Sequence, residues 1–139
     1  MNKQQLIKLF TRFGIFVIIA IFIYDIYSHG SIEHPGKAGY KAECSECHGD
    51  NGEGIKTLVP PLHNAAFARA HLDSIPCWIK FGMNHPITVG DTLYDQPMYP
   101  NKMSDVQAAN IINYLCSDFW QIDTQVNAQW VTNHWKNCQ

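Results

Sequence analysis

The sequence predicts an all-α protein, in which an N-terminal membrane helix precedes one small helical domain. Three observations predict this architecture. An apolar run occupies residues 13–24 of the 139-residue chain, and no later stretch shows the alternation of a half-buried strand. Apolar residues after Ser104 recur with the spacing of a helix. Two cysteines and a histidine lie together at residues 44–48, and they mark the chemical centre around which the helices would pack.

The pattern at residues 44–48 is the attachment motif of a c-type haem, because the two thiols are three positions apart and a histidine follows at once. Each thiol can add to one vinyl group of the porphyrin, and the imidazole can bind the iron. The alternatives are half of a zinc site and a redox dithiol, but the other three cysteines stand singly and supply no second pair. We therefore expect one haem c bound through Cys44 and Cys47, with His48 as an iron ligand.

The N-terminal 28 residues have the composition of a membrane helix. Residues 6–27 can span about 30 Å, and three basic residues, Lys3, Lys8 and Arg12, precede the apolar run. Basic residues hold their end of such a helix in the cytoplasm. Residues 1–28 are therefore predicted to be an uncleaved, single-pass anchor in the inner (cytoplasmic) membrane, with the haem domain on the periplasmic side.

A cleaved secretory signal is the alternative for this segment. Residues 27–30 lack the small-x-small pattern of a cleavage site, which favours the anchor. Both interpretations place the following residues across the membrane, where disulfides can form. Residues 29–34 are predicted to be a short tether.

Charge excludes one class of function. Residues 29–139 carry seven Lys and Arg against eleven Asp and Glu, a formal net charge of −4. No basic patch is present, so nucleic acid is not expected as a partner.

Cap residues and helical spacing predict the remaining helices. Pro35 suits the first turn of a helix that runs into the haem motif. Asn64 can cap a short helix through Ala70, and Asp73 or Ser74 can cap another that ends at Gly82.

The most regular helix is predicted after Ser104, which forms a capping box with Gln107. A last helix is expected over residues 124–137. Its predicted inner stripe consists of Ala128, Val131, Trp135 and Cys138.

Taken together, residues 33–120 resemble a small monohaem cytochrome c. The prolines before Leu62 resemble the family's proline loop, which implies that the Pro60 carbonyl accepts the Nδ1 proton of the haem histidine. Residues 82–98 resemble the methionine loop of bacterial members, which implies that Met98 is the second iron ligand. The resemblance thus implies a cytochrome c fold over residues 35–120, with residues 121–139 as a helical extension packed on it.

The resemblance extends to the helix crossing and to the cysteines. The positions at which the family's first and last helices cross are matched by Gly36, Tyr40, Ile111 and Tyr114. The C-terminal extension resembles membrane-linked cytochromes of the Bacteroidetes type, which implies a Cys77–Cys138 disulfide. Cys116 would then be a buried free thiol, a common role for a lone cysteine. A Cys116–Cys138 bridge stays open as the alternative, because connectivity does not follow from sequence.

Several other residues are candidates for the haem pocket. Met83, Met103, His63, His71 and His85 are alternatives to Met98 as the iron ligand, although Met103 is better explained by core packing. Trp78 and Tyr94 are predicted to line the pocket with Phe81 and Trp120, and Trp78 could donate to a haem propionate.

The resulting prediction is an electron-transfer protein and not an enzyme. It would carry single electrons between respiratory donor and acceptor complexes, either alone or as a permanent subunit of one of them. The alternatives are an open-site haem sensor or peroxidase-type enzyme, and the cytochrome subunit of a periplasmic dehydrogenase.

Overall fold

The computed structural model describes residues 2–29 and 33–138. The chain forms two units, residues 1–33 and residues 34–139. Within the described residues, the first unit contains one long helix, and the second is a helical domain with one small hairpin. The predicted all-α fold is confirmed, whereas the predicted division between residues 35–120 and 121–139 stays a prediction.

The elements have the following bounds. They are α1 (Lys3–His29), α2 (Pro35–Glu43), α3 (Ser45–His48), α4 (Ala65–His71), α5 (Ile75–Phe81), β1 (Ile87–Val89), β2 (Thr92–Tyr94), α6 (Asp105–Tyr114), a π-helix (Leu115–Trp120) and α7 (Ala128–Lys136).

Helix α1 has the dimensions of a membrane-spanning helix. Its 27 residues correspond to a length of about 40 Å. The stretch Lys3–Ser28 is long and apolar enough to cross a membrane, and its most apolar 18-residue window has a mean hydropathy of 2.3. Its large apolar side chains are exposed wherever they are described. Length and composition therefore agree with an anchor, and a signal sequence shares both properties.

The helical domain is organised around the crossing of α2 with α6. At Gly36 the two backbones approach so closely that a Cβ atom would overlap the carbonyl oxygen of Asn110. Tyr40 is fully buried, and its ring centroid lies 5.7 Å from that of Tyr114. Ile111 is also buried in the same core. These are the positions at which the first and last helices were predicted to cross.

Side-chain caps begin α4 and α6 where the sequence predicts them. Asn64 Oδ1 accepts a hydrogen bond from the Phe67 amide at 2.9 Å. Ser104 Oγ accepts from the Gln107 amide at 3.3 Å, and Gln107 Oε1 accepts from the Ser104 amide at 3.0 Å. These bonds satisfy donors that the first turn of a helix cannot satisfy internally.

Helix α5 follows Ser74 and ends at Gly82, as predicted. Ser74 makes no side-chain cap bond, but Pro76 lies in the first turn and has no amide to be capped. Gly82 has a φ of 74°, a conformation that glycine adopts without a steric cost.

Helix α7 begins at Ala128, four residues later than predicted. Asn127 Oδ1 caps it by accepting from the Trp130 amide at 2.8 Å. The preceding residues are held by Asn113, whose side chain donates to the Val126 carbonyl at 2.9 Å and accepts from the Val126 amide at 2.8 Å. This exchange fixes Val126, and residues 121–127 have no regular secondary structure.

Two elements were not predicted. Strands β1 and β2 pair as an antiparallel hairpin with Ile87 opposite Tyr94, and Gly90 supplies the positive φ of 61° that the tight turn requires. Helix α6 continues directly into the π-helix. Strands of three residues are too short to show an alternating pattern, and no sequence rule specifies a π-helical turn.

Helix α7 is attached to α5 and α6 by a disulfide and two hydrogen bonds. Cys77 and Cys138 form the disulfide, with their Cα atoms 5.6 Å apart. Trp135 Nε1 donates to the Pro76 carbonyl at 2.8 Å. From the other side, Thr132 Oγ1 donates to an oxygen of the Asp105 carboxylate at 2.7 Å. The Cys77–Cys138 pairing is the one that the family resemblance implied.

Cys116 is a free thiol and is 1 % exposed, as predicted. Burial raises the pKa of its thiol to about 11. The thiol therefore stays protonated and packs as a small apolar side chain.

Candidate functional site

An apolar cavity, partly open to solvent, lies inside the helical domain. A partly enclosed, mostly apolar cavity of this kind is typical of small-molecule and cofactor sites. Its walls come from the haem motif, the proline loop, α4, α5, the hairpin, the methionine loop, α6 and the π-helix. The lining residues include Cys44, His48, Pro60, Leu62, Trp78, Met83, Ile87, Val89, Met98 and Trp120.

The central polar group at the cavity wall is the imidazole of His48. Its Nδ1 lies 3.1 Å from the carbonyl oxygen of Pro60, and a carbonyl can only accept, so Nδ1 carries the proton. Burial lowers the pKa of His48, against the opposing effect of this hydrogen bond. The neutral ring is thus favoured, and its Nε2 has a lone pair that can bind a metal.

Helix α2 and a series of glycine turns position this histidine. Tyr40 Oη donates to the Gly49 carbonyl at 2.6 Å, which ties α2 to the end of the haem motif. The Gly54 amide donates to the His48 carbonyl at 2.8 Å. A Cβ atom at Gly54 would overlap the backbone of Pro60 and its neighbours, so only glycine allows the proline loop to come this close.

The two thiols of the motif differ in their surroundings. Cys44 lines the cavity and burial, with smaller contributions from Glu43 and Cys47, raises the pKa of its thiol to about 11. Cys47 is exposed and does not line the cavity. Neither cysteine takes part in a disulfide, so both sulfurs can form other bonds.

Two of the predicted ligand candidates besides His48 lie at the cavity. Met98 and Met83 both line it, and their backbones pair through two hydrogen bonds of 2.8 Å. Met103 is 5 % exposed within the core and lines no part of the cavity. Of the three histidine alternatives, His63, His71 and His85, none lines the cavity. Position thus leaves Met98 and Met83 as the thioethers able to reach a metal held there.

The predicted aromatic residues are distributed unevenly. Trp78 and Trp120 line the cavity, and Phe81 is 57 % exposed. Tyr94 is buried but is not part of the lining; its strand partner Ile87 lines the cavity instead. The role of Tyr94 at the site therefore stays a prediction.

Sequence reasoning missed the contribution of the hairpin, which supplies Ile87 and Val89 to the wall. It also did not identify the hydrogen bond that Trp120 Nε1 donates to the Leu62 carbonyl. The one signal for the role of Ile87 and Val89 was their position inside the methionine loop. The second depends on a long-range contact and has no local signal.

The donor set is of the kind that can hold an apolar cofactor with a metal ion at its centre. The chemistry of the lining suits an iron porphyrin. The walls are apolar, the Pro60 carbonyl orients a neutral imidazole, and the thioethers of Met83 and Met98 lie at the wall. The thiols of Cys44 and Cys47 belong to the same motif as His48. Cys44, Cys47, His48 and Met98 could hold such a group.

Comparison with known families agrees with this chemistry. The cytochrome c family model matches residues 34–117, which is more than half of the chain. The chain belongs to the cytochrome c family and is thus an electron-transfer haem protein with covalently bound haem c. No curated protein shows a significant match to the chain.

Proposed function

We propose that this chain is a membrane-anchored, monohaem c-type cytochrome of the bacterial, Bacteroidetes-like type that carries single electrons between respiratory partners. Its donor would be a quinol-oxidising complex or a dehydrogenase, and its acceptor a terminal oxidase or reductase. The chain would act as a tethered carrier or as a permanent subunit of such a complex.

In this proposal Cys44 and Cys47 bind the haem covalently and His48 is the proximal iron ligand. The observation that carries the assignment is the hydrogen bond from His48 Nδ1 to the Pro60 carbonyl at 3.1 Å, which leaves Nε2 as the ligating atom. Such a bond fixes the tautomer and the ring orientation of a histidine ligand. Trp78 at the wall would donate to a haem propionate, and Tyr94 would support the hairpin behind Ile87.

Met98 is the proposed second ligand, and Met83 is the competing thioether. Met98 follows Pro97 in the loop before the Ser104 cap, and its amide and carbonyl are fixed by the Met83 backbone. A bound haem supplies an iron that alternates between the ferric and ferrous states. The chain keeps both ligands in place and surrounds them with apolar side chains, so little rearrangement is required when an electron arrives.

Replacing each methionine tests this ligation. Met98→Ala should lose the near-infrared sulfur-to-ferric-iron band and gain carbon monoxide binding. The methionine would no longer occupy its place on the iron, whereas the covalent bonds from Cys44 and Cys47 would retain the haem. Met83→Ala, at the same cavity wall, is the matched control and should keep the band. Loss of the band in Met83→Ala with its retention in Met98→Ala would reverse the assignment.

Carbon monoxide also separates the carrier from the sensor or peroxidase alternative. A reduced wild-type spectrum that stays low-spin and unchanged under carbon monoxide supports a carrier. Rapid binding by the wild-type protein would contradict the carrier and support an open-site protein.

The membrane part of the proposal rests on α1, whose length and hydropathy allow it to span a bilayer. A tether of about six residues at up to about 3.5 Å each reaches only some 20 Å, so the haem would serve neighbours in the same membrane. Electron transfer to an oxidase in native membranes should then not depend on bulk dilution, whereas a truncated variant beginning at Ser31 should need added protein. Mature protein that begins after Tyr27, as determined by N-terminal sequencing, would refute the anchor.

A further inference from the structure

Trp120, the last residue of the π-helix, contacts the loop that contains Pro60. Its indole Nε1 donates to the carbonyl oxygen of Leu62, which is two residues beyond Pro60. Trp120 is 4 % exposed and lines the haem cavity. Water competes poorly for a hydrogen bond at such a position, so the bond is strong enough to fix the loop.

Leu62 fixes this loop after Pro60, and Val59 fixes it before Pro60 through two backbone hydrogen bonds with Ile55. Pro60 and Pro61 have no amide proton, and the Pro60 carbonyl is already used by His48. The Leu62 amide donates to the Gly52 carbonyl at 2.8 Å, and the Leu62 carbonyl accepts from Trp120. Leu62 is therefore held on both sides of its own backbone.

The π-helix places Trp120 at this point. The Gln121 amide bonds to the Cys116 carbonyl five residues earlier, which is the wide π-helical pattern, and such turns occur often at functional sites. Phe119 packs beside the end of this loop, because its ring centroid lies 4.9 Å from that of His63. A Cβ atom at Gly52, which accepts from the Leu62 amide, would also overlap the Phe119 ring. Two consecutive residues of the π-helix thus bear on the segment that carries Pro60.

We propose that Trp120 is a positioning residue for the His48–Pro60 hydrogen bond, and that through this bond it helps to set the reduction potential of the haem. The inference rests on the proposed ligation of the iron by His48. A firm acceptor at Nδ1 makes Nε2 a stronger donor to the metal. Stronger donation from Nε2 favours ferric iron and lowers the reduction potential. If the Pro60 carbonyl is held less firmly, donation from Nε2 weakens and the reduction potential rises.

The test compares two tryptophan-to-phenylalanine variants of the full chain with its haem. Trp120→Phe keeps a ring in the cavity wall but removes the donor to Leu62. Trp135→Phe is the matched control, because it removes the same kind of bond, from Trp135 Nε1 to the Pro76 carbonyl at 2.8 Å. The midpoint potential should rise in Trp120→Phe and stay at the wild-type value in Trp135→Phe.

Proton exchange supplies a second readout on the ferrous, diamagnetic protein. In Trp120→Phe the Nδ1 proton of His48 should exchange with solvent about fivefold faster, the factor expected for loss of a typical hydrogen bond. In wild-type protein the Nδ1 proton of His48 and the indole proton of Trp120 should exchange through one opening reaction with the same urea dependence. The indole proton of Trp135 should follow a different one. This wild-type measurement keeps the proposal testable if Trp120→Phe does not fold.

Each other outcome has one meaning. An unchanged potential and unchanged Nδ1 exchange in Trp120→Phe would overturn the role of Trp120, and so would equal changes in both variants. Separate opening reactions for the two wild-type protons would overturn it as well. Absence of a haem-shifted histidine Nδ1 signal from the wild-type protein would instead overturn the proposed ligation by His48.

Discussion

Removing the Cys77–Cys138 disulfide should destabilise the helical domain by about 4 kcal/mol. The bridge joins residues 61 positions apart, and closing a loop of that length lowers the entropy of the unfolded chain by an amount worth about 4 kcal/mol at 25 °C. Helix α7 keeps its other attachments without the bridge, because Val131 is fully buried and Trp135 still donates to the Pro76 carbonyl. The loss therefore arises mainly in the unfolded state.

The assay is urea unfolding of the ferrous haem protein, kept reduced with ascorbate and followed by far-ultraviolet circular dichroism. The variant should carry Cys77→Ser and Cys138→Ser together, because a single serine would leave a thiol free to pair with Cys116. Wild-type protein treated with dithiothreitol is the control, since it loses the same bridge without a change of sequence. The two samples should lose similar stability, and a loss below about 1 kcal/mol in both would refute the loop-closure reasoning.

Three further predictions concern the core, a cap and a thiol. Gly36→Ala should cost about 2 kcal/mol or more in urea unfolding, because its Cβ overlaps the Asn110 carbonyl and α2 must move. An increase in stability, as an exposed helical Gly→Ala change gives, would contradict this crossing. Ser104→Ala should cost about 1 kcal/mol by removing the capping box with Gln107, and Ser104→Asp, which can still cap, should restore most of it. Because burial raises the pKa of Cys116 from 9.0 to about 11, the folded state keeps a proton there that the unfolded state releases, so stability should fall as pH rises from about 9 to about 11. A Cys116→Ala variant that showed the same fall would assign the pH dependence to another group.

The elements that the sequence predicts correctly are those specified by local chemistry. Asn64 and Ser104 cap their helices because a short polar side chain can reach amides of the first turn. Gly82 ends α5 because it alone adopts a positive φ without strain. The haem motif needs only three residues at fixed spacing, and the structure places Cys44 and His48 of that motif at the cavity.

Other features depend on contacts between distant residues and could not be predicted locally. The start of α7 moved because Asn113 holds Val126 across the fold. The bond from Trp120 to Leu62 joins residues 58 positions apart. The π-helix and the bond from Trp120 to Leu62 leave no signature in the local composition, so no pattern along the chain predicts either of them. The set of candidates for the second iron ligand was likewise reduced to Met98 and Met83 only by the fold, which brings both residues to one wall of the cavity.

The Cys77–Cys138 pairing and the crossing at Gly36 form an intermediate case. Nothing in the spacing of the cysteines selects their partners, because three thiols allow three pairings. The family resemblance selected the pairing that the structure contains. Gly36 could be named in the same way, although its physical reason, the closeness of Asn110, is visible only in three dimensions.

Helix α2 is synthesised well before α6, the helix that it crosses. Ribosomes add roughly 5 to 20 residues per second, so the chain from His48 to Tyr114 takes roughly 3 to 13 s to complete. Throughout this interval Gly36 has no Asn110 to pack against, and the haem motif belongs to an unfinished chain. The Cys44 thiol, which folding brings to the cavity wall, is therefore reachable for a period of seconds before α6 is complete, and the order of the helices along the chain sets the length of that period.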